Sequence, residues 1–164
     1  MLLPTLPFKE IERMNEPVNA PKKAPEPVSL RSLLTPSKTV DIEYPGIDGF
    51  SVELTYLARE ELLKLRNRSV KQTFNKKTRQ YEEQLDNDKF LTEYCKAIIK
   101  GWTGLKYTSL EELLLVDVSE VDPEDELPWT QENAELLMKN SSDFDNWVSE
   151  TVGDLENFTQ SKSI

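Results

Sequence analysis

Between residues 40 and 56 the chain alternates apolar and polar side chains on both sides of a turn, and this stretch constrains the fold more than any other. Val40, Ile42 and Tyr44 alternate with Asp41 and Glu43, "PGIDG" follows at 45–49, and Phe50, Val52, Leu54 and Tyr56 then alternate with Ser51, Glu53 and Thr55. Period two across a Pro/Gly/Asp connection predicts an antiparallel hairpin with one buried face. Two strands alone are marginal in water, so helices must cover that face.

The remaining chain supplies helical patterns. "AREELLKLRN" reads as a helix with Leu62, Leu63 and Leu65 apolar, and "SVKQTFNKKTRQYEEQ" as a second, more polar hairpin or a loop. In "LDNDKFLTEYCKAIIKGW" the residues Phe90, Tyr94, Ile98 and Trp102 recur every four positions, which predicts one helix running to the glycines at 101 and 104. Ser109 with Glu112 has capping-box spacing before "LEELLLVDV", read as a short apolar helix. Thr130 is placed to cap "QENAELLMKN", with Ala134, Leu137 and Met138 inward. The final segment, "SSDFDNWVSETVGDLENF", puts Phe144, Trp147, Val148, Val152, Leu155 and Phe158 on one face of a single helix.

Seven of the ten prolines lie at positions 4, 7, 17, 21, 25, 27 and 36. Proline removes a backbone donor and fixes φ, so residues 1–38 read as a Pro-rich flexible arm. The expected organisation is that arm, an α+β domain over 39–160 and a tail over 161–164. The domain is expected to be mainly helical, with one N-terminal antiparallel β-hairpin.

Composition narrows function by exclusion. The chain has no histidine and one cysteine, Cys95, so Ser-His and Cys-His nucleophile pairs, His metal sites and thiolate clusters cannot form. Neither phosphate-binding glycine motif occurs, and the acidic stretch "DVSEVDPEDE" lacks the spacing of a calcium loop. No catalytic residue, cofactor or metal is expected. A single cysteine forms no intramolecular disulfide, which fits a reducing compartment such as the cytoplasm, and no apolar run approaches the length of a membrane span. The formal charge is −10 and unevenly spread: residues 51–85 carry a net +3, residues 86–164 a net −12. Only the basic run "RNRSVKQTFNKKTRQ" could meet a nucleic acid or an acidic partner, and its ordinary reading is a solvated face.

The order of elements across "FSVELTYLAREELLKLRNRS", "LDNDKFLTEYCKAIIKGWTGL" and "ELPWTQENAELLMKNSSDFDNWVSETVGDLENF" resembles the tail assembly chaperones of long-tailed, siphovirus-like bacteriophages. A hairpin leading into a helix, an I-K-G-W-x-G corner and a Pro-aromatic-Thr-x-Glu-Asn element opening the next helix carry the similarity, over roughly residues 39–159. The resemblance implies a virus-encoded protein of the host cytoplasm, missing from the mature virion. It would coat the tape measure protein, keep its apolar helices soluble and help recruit the tail tube protein, and could form homo-oligomers around its partner. The long Pro-rich arm departs from the family's shorter starts. Two other readings stay open: a structural virion component of tail or head completion, and a small nucleic-acid-binding regulator using the basic run.

Five aromatic residues, Trp102, Trp129, Phe144, Trp147 and Phe158, are the candidates for partner binding. For each of them, core packing is the competing role.

Overall fold

The computed structural model describes residues 26–35 and 37–159. The chain divides into two units, Met1–Thr35 and Pro36–Ile164. In the first, the described residues hold one helical turn, α1 (Leu30–Leu33), whose N-terminus is capped by Ser29, its Oγ accepting from the Arg31 amide at 3.3 Å. Most of the expected Pro-rich arm therefore lies outside the described residues, and the described part contains a helix rather than extended chain alone.

The second unit is built on a three-stranded antiparallel sheet in the order β1 (Thr39–Glu43), β2 (Ser51–Thr55), β5 (Ile99–Thr103). Val40 pairs with Leu54 and Ile42 with Val52, so the apolar members of the alternating pattern share a face. Phe50, Val52 and Leu54 on the central limb are fully buried, each contributing about 1.5–3 kcal/mol relative to exposure. The turn between the strands places Gly46 and Gly49 at positive φ.

A ten-residue helix, α2 (Arg59–Arg68), follows with Glu60 and Glu61 in its first turn and Arg66 and Arg68 in its last, matching the helix dipole. Of its leucines only Leu65 is buried; Leu62 and Leu63 remain at the surface. The chain then forms a two-stranded antiparallel ribbon, β3 (Val70–Asn75) and β4 (Gln80–Leu85). Helix α3 (Asn87–Ile98) begins at Asp86, whose carboxylate accepts from the Lys89 amide at 3.2 Å.

Here the expected single helix to Trp102 is corrected: α3 stops at Ile98 and the chain continues directly into β5, antiparallel to β2. Ile99 and Trp102 are both buried although three residues apart, a spacing that strict alternation would send to opposite faces. A bulge resolves the conflict. Leu54 pairs with Ile99 and Glu53 with Gly101, leaving Lys100 as the extra residue that returns Trp102 to the core side.

The remaining elements close the core. Helix α4 (Tyr107–Leu110) is a single turn, and the apolar helix expected over 110–118 is absent. Its acids, Glu111, Glu112 and Asp117, would be scattered around a helix and give it no single face to turn to water; the chain instead lays Leu113, Leu114 and Val116 against the core and leaves Leu115 exposed. Helix α5 (Gln131–Asn140) is capped by Thr130, whose hydroxyl accepts from the Asn133 amide at 3.0 Å, and it buries Ala134, Leu137 and Met138. Helix α6 (Ser142–Gly153) buries Phe144, Val148 and Val152 and ends before a 3-10 turn, Leu155–Asn157. That break turns Leu155 outward while Phe158 folds back into the core.

The expectation of a mainly helical domain is thereby overturned, and the segment read as a second hairpin or a loop is the β3–β4 ribbon. Among the described residues six α-helices, two of them single turns, stand beside five strands in two antiparallel sheets.

Candidate functional site

The five candidate residues fall into three settings. Trp102, Phe144 and Trp147 converge on the hairpin turn, where Tyr44 and Phe50 complete one aromatic cluster: Tyr44 meets Trp147 edge-on at 4.9 Å, and Phe50 lies 6.4 Å from Trp102 and 6.3 Å from Phe144. Phe144 is fully buried and Trp102 nearly so, whereas Trp147 is half-buried at the margin. The Trp102 indole donates to the Leu127 carbonyl at 2.9 Å. Burial raises the Tyr44 phenol above its ordinary value, with Asp143 and Glu112 adding to the effect. Phe158 sits apart, 5.4 Å from Tyr56. Trp129 is half-buried against the core, and its Nε1 is enclosed without a hydrogen-bond partner among the described residues.

These placements make Trp102, Phe144 and Phe158 part of the folded core, while Trp129 and Trp147 keep part of their rings at the surface. Two surfaces stand out. The first is a groove of about 240 Å³ between α3 and α5, floored by Leu91 and Leu136 and edged by Asp88, Glu132, Glu135 and Lys139. Leu136 is half exposed, a large apolar side chain on a helix whose opposite side is in the core. Lys139 reaches toward Asp88 across the groove at 3.7 Å, and the Gln131 side chain donates through Nε2 to the Thr92 carbonyl at 3.4 Å. These polar links hold the two helices side by side and leave leucines between acidic edges.

The second surface is the ribbon. Phe74 and Tyr81 oppose each other in register and pack edge-on at 5.3 Å. Strand alternation puts Val70, Gln72, Phe74, Tyr81, Glu83 and Leu85 on one side of it and the polar pairs Lys71–Gln84, Thr73–Glu82 and Asn75–Gln80 on the other. Among the described residues its hydrogen bonds to the rest of the chain are at its base: the buried Ser69 donates its hydroxyl to the Leu65 carbonyl at 2.9 Å, and the Ser69 carbonyl accepts from the Asp86 amide at 2.8 Å. The tip turns through Arg79 at φ 56° while the Asn75 side chain accepts from the Lys77 amide at 2.9 Å. Sequence reading identified the basic run but not the groove, because Leu91 and Leu136 come from helices 45 positions apart in sequence.

Cys95 is fully buried in α3, and burial pushes its thiol up to about 12. A thiol held protonated and out of reach of solvent is a packing group rather than a nucleophile.

The sequence model of the YdaY prophage protein family matches residues 56–163, about two thirds of the chain. The match begins just after β2, ends at residue 163, and includes the ribbon, the groove and α6. No curated protein and no solved structure matches the chain.

Proposed function

The chain belongs to the YdaY prophage protein family and is thus phage-derived, and from that premise we propose that it is a tail assembly chaperone that binds the tape measure protein. The observation that carries this reading is the α3–α5 groove. Its leucines can take apolar side chains from a partner helix, and its acidic edges favour a helix flanked by bases. A net charge of −10 would keep a complex with a long apolar partner in solution. The order of elements that resembles phage tail assembly chaperones points the same way. Tail tube recruitment and release before the particle is complete belong to the same proposal.

Co-expression of the full chain with the long helical protein encoded near it, followed by size exclusion with light scattering, tests the reading. The expected result is a soluble complex where the partner alone precipitates, and Leu136→Asp should weaken it at least about tenfold. A partner that stays insoluble with the wild-type chain present sinks the proposal. In that case detection of this chain in purified particles would identify a structural component instead.

A further inference from the structure

The ribbon and the acidic segment on the other side of the chain's charge divide form a complementary pair that one molecule does not satisfy within itself. Residues 66–81 contain six bases, Arg66, Arg68, Lys71, Lys76, Lys77 and Arg79, and no acid; residues 111–126 contain eight acids and no base. All six bases are exposed. Among the described residues none of the six forms an ion pair, and no hydrogen bond joins either ribbon strand to another element beyond the ribbon's base. Glu82 and Glu83 on the second strand offset part of this charge and leave a net +4 over residues 66–83; Glu82 accepts from Asn75 at 2.8 Å and Thr78 at 3.3 Å rather than pairing with a base.

Apolar groups accompany the charges on both surfaces. The ribbon exposes Val70, Phe74 and Tyr81 on one side, and the acidic segment exposes Leu115 completely and Val121 in part. The acidic segment is held in place, whereas the ribbon is anchored at its base. The acidic segment is pinned by the Tyr107 amide donating to the Asp125 carbonyl at 2.9 Å, the Leu127 amide donating to the Leu105 carbonyl at 2.7 Å, and Lys106 bonding Glu124 at 2.8 Å. A two-stranded ribbon with one apolar side is marginal by itself, so an occupant for that side stabilises it.

We propose that the β3–β4 ribbon of one molecule docks on the 111–126 segment of a second copy of this chain, head to tail. The two patches differ, so the contact is heterologous and propagates into rings or open arrays rather than stopping at a two-fold dimer. Aromatic and aliphatic side chains supply the contact area while the opposed charges set orientation and speed of encounter. This inference does not depend on what the groove binds.

The test is the solution mass of the full chain and of two charge reversals. Wild type at about 0.1 mM should exceed the monomer mass in about 0.1 M salt and fall toward it in about 1 M salt, where the screening length drops from ~10 to ~3 Å. The ribbon reversal K76E/K77E/R79E and the segment reversal E120K/D122K/D125K alter only exposed side chains, and circular dichroism should show both folded. Each alone should be monomeric, and an equimolar mixture should associate again, because the ribbon of one variant then meets the segment of the other. Phe74→Ala should weaken association without changing the salt response. A wild-type chain that is monomeric throughout overturns the proposal, as does either reversal associating like wild type or a mixture that stays monomeric.

Discussion

The indole of Trp102 donates to the Leu127 carbonyl at 2.9 Å, fastening the last strand of the sheet to a loop 25 residues further along. The same loop residue donates its amide to the Leu105 carbonyl at 2.7 Å, so Leu127 is held from both sides. Trp129, two residues on, has a buried Nε1 with no partner among the described residues. The two indoles should respond oppositely to loss of their N–H. Trp102→Phe leaves the Leu127 carbonyl without its donor and is expected to cost about 1–3 kcal/mol. Trp129→Phe removes an enclosed donor that gains nothing and should be neutral or stabilising. Urea unfolding midpoints of the two variants check the contrast, and equal losses would show that ring volume alone matters.

The tryptophan between two glycines at 101–104 is explained by what those glycines permit. Gly104 has φ +79°, and a Cβ there would lie 1.9 Å from the Gly49 carbonyl oxygen. Gly104→Ala therefore forces apart the hairpin turn and the end of β5, and is expected to destabilise by more than about 4 kcal/mol, in the range reserved for disrupted cores. Gly153, with nothing within 4 Å of the added methyl, is the matched control. Gly153→Ala should leave stability unchanged or raise it by about 0.4–1 kcal/mol. Expression yield and thermal melting of the pair suffice as a readout.

Alkaline pH should unfold the chain progressively. Burial raises the Cys95 thiol from its ordinary 9.0 to about 12, with Glu135 adding to the effect. Burial likewise raises Tyr94, partly offset by its hydrogen bond to Ser149. The folded chain keeps the thiol proton that the unfolded chain releases above pH 9, so this contribution is complete below pH 9 and lost between pH 9 and about 12. The slope attributable to one such group is at most about 1.4 kcal/mol per pH unit. Denaturant midpoints from pH 7 to 11 should fall, and Cys95→Ala should flatten the fall. A thiol reagent at pH 8 should label the native chain only after denaturant is added.

Legibility in sequence followed how local the determinant was. The hairpin over 40–56 is visible because alternation and turn residues are neighbours in sequence, and its buried Phe50, Val52 and Leu54 come out on one face. The Thr130 cap and the inward set Ala134, Leu137 and Met138 are local for the same reason. The basic and acidic segments are legible as composition, but their exposure is not. The α3–α5 groove is hidden because two distant helices make it. Among the aromatic candidates, amphipathic spacing marks what is buried without telling core from partner contact: Trp102, Phe144 and Phe158 are core, and Trp129 and Trp147 are half-buried.

The largest misreading, a helix carried to Trp102, has a physical source that is itself testable. Phe90, Tyr94, Ile98 and Trp102 keep a four-residue spacing that suits a helix, yet the last two belong to different elements. What reconciles them is the unpaired Lys100, which lets Ile99 and Trp102 both face inward from one strand. Removing Lys100 leaves Ile99, Gly101 and Trp102 in simple alternation opposite Leu54, Glu53 and Val52, so the deletion should fold cooperatively with Trp102 still buried. Inserting one alanine between Gly101 and Trp102 shifts the ring to the solvent face and should cost about 3–5 kcal/mol, comparable to losing the side chain. Trp102 can be followed alone in a Trp129→Phe/Trp147→Phe background, where its emission should remain blue-shifted in the deletion and move to the red in the insertion. The opposite pattern would mean that Lys100 is a paired strand residue and that the strand follows a different register.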